Sequence, residues 1–481
     1  MSKKVFKNSI FYMIASFLPA IVGFLMLPIY SRYLTPEDYG VLALVLSLQA
    51  FLPLIMTLQI PSSISRFYFD YRDNKIKLHT FISTLTLLTF ILSTMILVLM
   101  LFNYKEIISF LFPKTTGYDK LFLLGILTAY IAVFNSIFIA LIRVQQKAKL
   151  FMKVSIFLFF ISLIINILEV IVYERGAYGV IEATLITTVI SFFVYAFLVK
   201  ELFILQFNFT MVSEPLKYSI PLIPHSLSGL IFMYSDRIIL ERYVTLSAIG
   251  LYMFADKVAM IFKILVNEFN SAFSPFFNEK SKQSKEKAIK EVQNISLIFI
   301  YITSMLMVLV ALFSVELVYL LLDEKYFDTW RMIPLLSSAY IFRSLYCFSS
   351  SGLFFEKQTG KVAIITIVAG LTNFGLNLWL IPIYGLMIAI YTTIFSFFIT
   401  FVMAELMSYK VYYLQLNMKK NLLILIYLFG SIILAININE NFKEFGYLEY
   451  VYKVFILFAG LVIGYKLDLL NIKRLMKIRK G

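Results

Sequence analysis

The chain has 481 residues, of which 60% are hydrophobic and only 15% are charged. Soluble globular domains carry about 25% charged residues, so this composition excludes a soluble protein and predicts a polytopic membrane protein. The net charge of +15 does not call for a nucleic-acid partner, because membrane proteins concentrate Lys and Arg in their cytoplasmic links.

Fourteen stretches of the sequence are apolar and long enough to cross a bilayer as helices. The first follows the basic start MSKKVFKNS. It is too long for the core of a signal peptide, so we expect it to be retained as a membrane span. The fifth and fourteenth stretches contain charged residues, Glu169 and Lys453. The predicted spans, in chain order, are 9–31, 39–59, 80–102, 121–142, 152–173, 177–199, 217–240, 248–275, 292–315, 331–355, 362–381, 385–404, 421–439 and 447–466.

The Lys and Arg residues between the spans predict the orientation of the chain. When the N-terminus is placed in the cytoplasm, the cytoplasmic segments hold about three times as many of these residues as the links on the other side. Both termini are therefore predicted to be cytoplasmic.

The short links and the few reactive side chains argue against catalysis. A membrane-bound glycosyltransferase or polysaccharide polymerase would need catalytic residues in a large external link, and no link is that long. The sequence has no G-x-x-x-x-G-K-[ST] phosphate loop. Its single cysteine, Cys347, and its two histidines, His79 and His225, form no metal-ligand pattern. We expect no enzymatic activity, no metal and no cofactor.

An internal repeat at an offset of 210 residues predicts the architecture. The sequence RYLT at 32–35 matches RYVT at 242–245, and Gly40 matches Gly250. Spans 1–6 and 7–12 are therefore predicted to be two copies of one six-helix unit. Both copies begin on the same side of the membrane, because six is even. Parallel repeats around a central cavity are an architecture of secondary transporters.

The predicted fold is thus an all-α polytopic membrane protein with 14 transmembrane helices. The N-terminal lobe, with helices 1–6, is predicted at 1–216, and the C-terminal lobe, with helices 7–12, at 217–408. Residues 409–481 hold helices 13 and 14 and a basic cytoplasmic tail.

A polar stripe runs along the eighth predicted span. At 100° per residue, Asp256, Lys263, Asn267 and Asn270 fall within about 40° of one line. The line continues to Ser274, which makes the stripe about 27 Å long, close to the thickness of a bilayer's hydrocarbon core. Such a stripe cannot face lipid, so it is predicted to face other helices or a water-filled cavity.

Two cations are predicted near the membrane midplane, Arg343 in the tenth span and Lys263 in the eighth. Guanidinium and ammonium groups pair well with phosphate oxygens, so these residues are candidates for binding an anionic, phosphate-containing cargo. The alternative is that each is neutralised by a carboxylate, Lys263 by Asp256 and Arg343 by Glu169.

Charged residues also lie toward the outer ends of spans 7 and 8. Asp236 precedes Arg237 in the seventh span, and Asp256 precedes Lys257 in the eighth. These residues would form either an ion network that closes an outer gate or a static cluster that holds the two spans together.

Three further polar residues are candidates for gating or coupling. His225 would exchange protons near neutral pH or serve as an ordinary hydrogen-bonding residue. Glu169 shares a helix face with Asn166 and would carry a coupling ion or line a polar outer vestibule. Asn377 occupies the position in the second repeat that Asn166 occupies in the first.

Motifs along nearly the whole chain resemble the bacterial polysaccharide flippases of the Wzx type. These form the polysaccharide transport branch of the multidrug/oligosaccharidyl-lipid/polysaccharide exporter superfamily. The motifs are PIYSRYLTPEDYG at 28–40, SDR at 235–237, IGLYMFADK at 249–257 and NFGLNLWLIPIYG at 373–385.

This resemblance implies a non-enzymatic flippase of the bacterial plasma membrane that works by alternating access. Its cargo would be an oligosaccharide on undecaprenyl pyrophosphate, destined for capsule, O-antigen or exopolysaccharide. Membrane lipids, a polysaccharide polymerase and glycosyltransferases are the further candidate partners. The alternatives within the superfamily are a flippase for the peptidoglycan lipid precursor and a drug/cation antiporter. An antiporter would prefer a carboxylate-dominated cavity, so the two midplane cations argue against it.

The candidate site residues divide into two groups. Cations predicted to bind cargo are Arg343, Lys263, Arg237 and Lys257. Residues predicted to line the cavity, to gate it or to couple it to an ion are Asp236, Asp256, His225, Asn267, Asn270, Asn377 and Glu169.

Overall fold

The computed structural model describes residues 3–441 and 446–469. Over these residues the chain is helical and contains no β-strand, so the predicted all-α fold is confirmed. The basic tail lies largely in 470–481, outside the described residues.

The chain divides into two compact units, Met1–Met253 and Phe254–Gly481. Helices of the first unit are α1 Lys3–Leu25, α2 Leu27–Tyr33, α3 Pro36–Thr57, α4 Ile60–Tyr71, α5 Lys75–Leu111, α6 Asp119–Val144, α7 Ala148–Ile167, α8 Gly176–Val199, α9 Ser213–Ser219 and α10 Ile223–Tyr243. Helix α11, Leu246–Gln283, begins in the first unit and continues into the second. Helices of the second unit are α12 Lys285–Leu312, α13 Ser314–Leu321, α14 Met332–Phe355, α15 Thr359–Tyr384, α16 Leu386–Tyr409, α17 Met418–Asn441 and α18 Tyr447–Lys466.

The predicted spans coincide with long helices. Eleven helices of the described chain are long and apolar enough to cross a bilayer. The predicted spans 7, 8 and 10 correspond to α10, α11 and α14, which are equally long but more polar. These three helices carry most of the charged residues singled out above. The total of fourteen crossings and the repeat-based lobe boundary after residue 216 stay predictions.

The first predicted span matches one candidate crossing, Phe11–Tyr33, whose helix is interrupted at Met26. Helix α1 ends at Leu25, and α2 starts at Leu27 with Pro28 in its first turn. Proline has no backbone N–H, and its ring clashes with the carbonyl four residues earlier, so it interrupts a helix unless it lies in the first turn.

The motif TPED at 35–38 begins α3 with a capping box. The Thr35 hydroxyl accepts a hydrogen bond from the Asp38 backbone N–H at 3.1 Å, and the Asp38 carboxylate accepts one from the Thr35 N–H at 3.0 Å. Two backbone donors at the helix start are thereby satisfied. This part of the family-like motif therefore has a local structural role.

The two glycines matched by the repeat contact each other's helices within the first unit. A Cβ on Gly40 would lie 2.0 Å from the Leu246 carbonyl oxygen, and one on Gly250 would lie 1.8 Å from that of Pro36. Because the obstacles are backbone atoms, neither position has room for a side chain. The starts of α3 and α11 therefore pack backbone to backbone.

Each unit is organised around a buried helix. In the first unit α6 packs against α3, α4, α5 and α8. In the second unit α14 packs against α12, α15, α16 and α17, and it is buried along almost its whole length. Its many serines are small, so neighbouring helices can approach it on all sides. Arg343 lies in the middle of this helix.

Candidate functional site

Arg343 is held by a neutral amide rather than by a carboxylate. Its Nη2 donates a hydrogen bond to Oδ1 of Asn267 on α11 at 3.0 Å. Its Nε is buried and makes no hydrogen bond to any described residue. No ion pair forms at Arg343 in the part of the chain that the structure describes. The guanidinium therefore has a buried donor, Nε, that no described residue satisfies.

The structure brings two of the predicted site residues, Arg343 and Asn267, into direct contact. Lys263 lies one turn before Asn267, so both side chains project from the same face of α11. Lys263, Asn267 and Asn270 are all half-buried. The predicted polar stripe of α11 thus reaches Arg343 at Asn267.

The predicted alternative partner of Arg343 is engaged elsewhere. Glu169 lies in a short π-helical segment, Leu168–Val172, that continues α7. Its Oε2 is 3.6 Å from Nη1 of Arg175, and the same nitrogen is 2.5 Å from Oε2 of Glu182. Arg175 lies between two predicted spans. The pKa of its guanidinium is raised, mainly by the hydrogen bond to Glu182.

A buried polar contact continues this cluster within the first unit. The Tyr30 hydroxyl donates to Oδ1 of Asn166 at 2.6 Å, one turn before Glu169. Both carboxylates near Arg175 and the Asn166 amide therefore belong to one polar region, and its assignment to an outer vestibule stays a prediction. The role of Glu169 in ion coupling stays a prediction.

Asp236 is 6% exposed and is held by hydrogen bonds from the same unit. Its Oδ2 accepts from the Tyr252 hydroxyl at 2.5 Å, and its Oδ1 accepts from the Arg237 backbone N–H at 2.8 Å. The Arg237 guanidinium lies over the ring of Tyr234, 5.2 Å from its centroid. Asp256 and Lys257 are half-buried one turn beyond Tyr252. The gating role of these residues stays a prediction.

His225 and Asn377 have different surroundings. His225 is exposed in the first turn of α10, next to Ser226, whose hydroxyl accepts a hydrogen bond from Gln59 at 2.8 Å. Asn377 is fully buried and bonded to Asn373 and Thr392, so it links α15 to α16. The packing of those helices accounts for these contacts of Asn377, and its role in gating or coupling stays a prediction.

One ionic cluster was not predicted as a unit. Lys453 of α18 is fully buried, and its Nζ contacts Glu316 of α13 at 2.5 Å as well as Glu449, one turn earlier on α18. The spacing of Glu449 and Lys453 is a sequence signal for an ion pair. Glu316 could not be identified in this way, because it lies 137 residues away in the chain.

The structure is similar to several solved transporter structures. It matches "Lipid II flippase MurJ, inward closed conformation" with a TM-score of 0.74 and 17% identity, covering 97% of this chain and 99% of that chain. It also matches an inward-facing multidrug resistance MATE family transporter of the MOP superfamily, with a TM-score of 0.67 and 15% identity, covering 81% and 95%. These likenesses define the fold, which is that of a multi-pass membrane protein built like these transporters.

Sequence comparison identifies the family. The chain belongs to the family described as polysaccharide biosynthesis protein, which matches residues 5–281. It is also 24% identical over 291 residues to the "Lsg locus putative protein 1" of Haemophilus influenzae, covering 59% of this chain and 68% of that protein. An uncharacterized membrane protein of the same organism is 23% identical over 381 residues, covering 77% and 88%. The predicted family resemblance is confirmed.

Proposed function

We propose that this chain turns an oligosaccharide carried on undecaprenyl pyrophosphate from the inner to the outer leaflet of the bacterial plasma membrane. The flipped glycan would then enter surface polysaccharide. Membership of the polysaccharide biosynthesis family supports a cargo from such a pathway. Alternating access and two cytoplasmic termini, as the Lys and Arg distribution predicts, are part of this proposal.

The observation that carries the proposal is the Arg343 guanidinium. It lies in the middle of a buried helix, and among the described residues its side chain donates a hydrogen bond to the amide of Asn267 alone. A cation at the centre of a bilayer costs roughly 2.5–3.5 kcal/mol. An ionic partner within the protein would offset that cost, and none is present in the described chain. An anionic cargo would supply the missing partner.

The chemistry of Arg343 favours a phosphate as that partner. A guanidinium presents several N–H donors in one plane, and it can bind two oxygens of a phosphate at once. Asn267 uses Nη2, which leaves donors on Nη1 and on the buried Nε. Lys263, one turn along the same face of α11, would add a second positive charge for a pyrophosphate.

The test is glycan export by cells whose surface polysaccharide depends on this chain. Arg343→Ala should abolish export, and lipid-linked glycan should accumulate inside the cell. Arg343→Lys should retain part of the activity, because it keeps the charge but loses the fork-shaped donor set.

The matched control is Arg66→Ala, which removes an exposed arginine paired with Asp70 at 3.0 Å. Exposed i,i+4 pairs contribute little to stability, so this variant should export normally. Normal export by Arg343→Ala protein, present at the wild-type level, would show that the proposal is wrong.

A further inference from the structure

A separate cavity of about 420 Å³ lies wholly inside the first unit. It is lined by residues of α1, α6, α7 and α8. Its volume falls within the range of roughly 300–1,000 Å³ that is usual for small-molecule sites. None of the candidate site residues described above lines it.

The walls of this cavity combine aromatic rings with hydrogen-bonding groups. The rings of Phe151 and Tyr195 are stacked with an interplanar angle of 23°, and both residues are buried. Ser155 and Ser191 add hydroxyl groups to the lining. Apolar walls with a few placed polar groups are typical of a ligand site.

Asn135 lines the cavity and has an acceptor that no described residue satisfies. Its side-chain nitrogen donates to the Thr188 carbonyl oxygen at 3.1 Å and to the Ser191 hydroxyl at 2.9 Å. Asn135 is only 8% exposed, and its buried Oδ1 accepts no hydrogen bond from any described residue. Leaving a buried acceptor unpaired is unfavourable, so a donor from a ligand or from water belongs there.

Arg143 places a cation at one end of the cavity. It lies eight residues after Asn135 on α6, about 12 Å along the helix, at the end predicted to face the cytoplasm. Its guanidinium lies over the Phe151 ring, 5.5 Å from the centroid. It forms no ion pair with a described carboxylate. No carboxylate is among the residues that line the cavity, which argues against a bound cation.

We infer that this cavity is a sugar-binding subsite. This inference rests on the proposed function and extends it to the glycan part of the cargo. A sugar ring has hydroxyl groups that donate to Asn135 Oδ1 and accept from Arg143, and it has an apolar face that packs on Phe151 and Tyr195. A hydrocarbon chain would leave Asn135 Oδ1 unpaired. Arg143 lies at the end of α6 that is predicted to face the cytoplasm, where the cargo would be assembled, so the subsite would receive the glycan before the cargo is turned over.

The experiment uses a thiol introduced into the cavity. Ser155→Cys is combined with Cys347→Ser, which removes the chain's single cysteine. Membrane vesicles are prepared from cells that make the lipid-linked glycan and from cells that lack its first sugar transferase. The probe is a membrane-permeant maleimide, and the labelling rate is measured in both preparations.

Labelling of the Ser155→Cys protein should be several-fold slower when the lipid-linked glycan is present. Adding Asn135→Leu should remove this difference, and Asn135→Leu alone should lower glycan export about three- to tenfold, because it removes one hydrogen bond to the cargo. The control is Thr86→Cys, which lines a separate apolar cavity between α5, α6 and α8 and should label equally in both preparations.

Equal labelling of the Ser155→Cys protein in both preparations, together with normal export by Asn135→Leu, would show that the cavity holds only water. That result leaves the proposed function intact if the wild-type chain supports export. If the wild-type chain supports no export at all, the proposed function and the subsite both fail.

Discussion

Replacing Lys453 by Met should destabilise the protein strongly, because it removes the cation from a buried triad. Lys453 is fully buried, and the Glu449 side chain is 2% exposed. The Glu316 side chain is 23% exposed. Without Lys453, two carboxylates would remain at the junction of α13 and α18 with no positive partner among the described residues. Removing one member of a buried ion pair costs about 3–5 kcal/mol.

A loss of this size raises the unfolding equilibrium constant by about 100- to 4,000-fold, at about 1.4 kcal/mol for each factor of ten. The assay is equilibrium unfolding of purified protein in mixed detergent micelles, with free energies compared between variants. Arg331→Ala is the control, because it breaks an exposed pair with Glu440 at 3.5 Å, in which the side chains are 54% and 42% exposed. That change should cost no more than about 1 kcal/mol.

A triple variant separates charge from packing. Replacing Lys453 by Met together with Glu316→Leu and Glu449→Leu should recover most of the stability, since a buried ionic cluster is often replaceable by apolar residues of similar volume. If Lys453→Met unfolds within about 1 kcal/mol of the wild type, the triad is not a stabilising element and the reasoning is refuted.

Further predictions concern packing and orientation. Gly250→Ala should lower the free energy of unfolding by at least about 1–3 kcal/mol, because its Cβ would meet the Pro36 carbonyl. The control is Gly375→Ala, which has open space around it and should be neutral or slightly stabilising. Equal unfolding curves for the two variants would contradict the close contact at Gly250. Reporter fusions at Gly481 and within 281–287 should both report the cytoplasm, as the Lys and Arg distribution predicts, and an external signal at either site would break the predicted topology.

The helices of this chain were predictable from local sequence because membrane spans need long apolar runs. The predicted span 447–466 has the same bounds as α18. The break between α1 and α2 was missed, although Pro28 marks it. Helical periodicity also placed Lys263 and Asn267 on one face of α11, because that inference needs only the geometry of a single helix.

Contacts between helices were much less accessible from sequence. Arg343 and Asn267 are 76 residues apart, and nothing local in the sequence shows that they touch. For the same reason, the contact between Glu316 and Lys453 could not be predicted, because the two residues are 137 positions apart. Asn377 shows another limit of sequence-based prediction. A polar residue in a membrane span can form hydrogen bonds with a neighbouring helix or line a cavity, and the sequence does not distinguish the two.

The central claim is that the cations of the second unit bind the phosphate of a lipid-linked glycan during its transfer. The direct measurement uses purified protein reconstituted in liposomes that contain an undecaprenyl-pyrophosphate-linked oligosaccharide in the leaflet corresponding to the cytoplasmic side. An added glycosidase that cannot enter detects each glycan when it reaches the opposite leaflet. Wild-type and Arg66→Ala proteins should transfer the glycan at the same rate, and Arg343→Ala and Lys263→Ala proteins should show only the protein-free background. Transfer at the wild-type rate by both the Arg343→Ala and Lys263→Ala proteins, or no transfer by the wild type, would contradict the account.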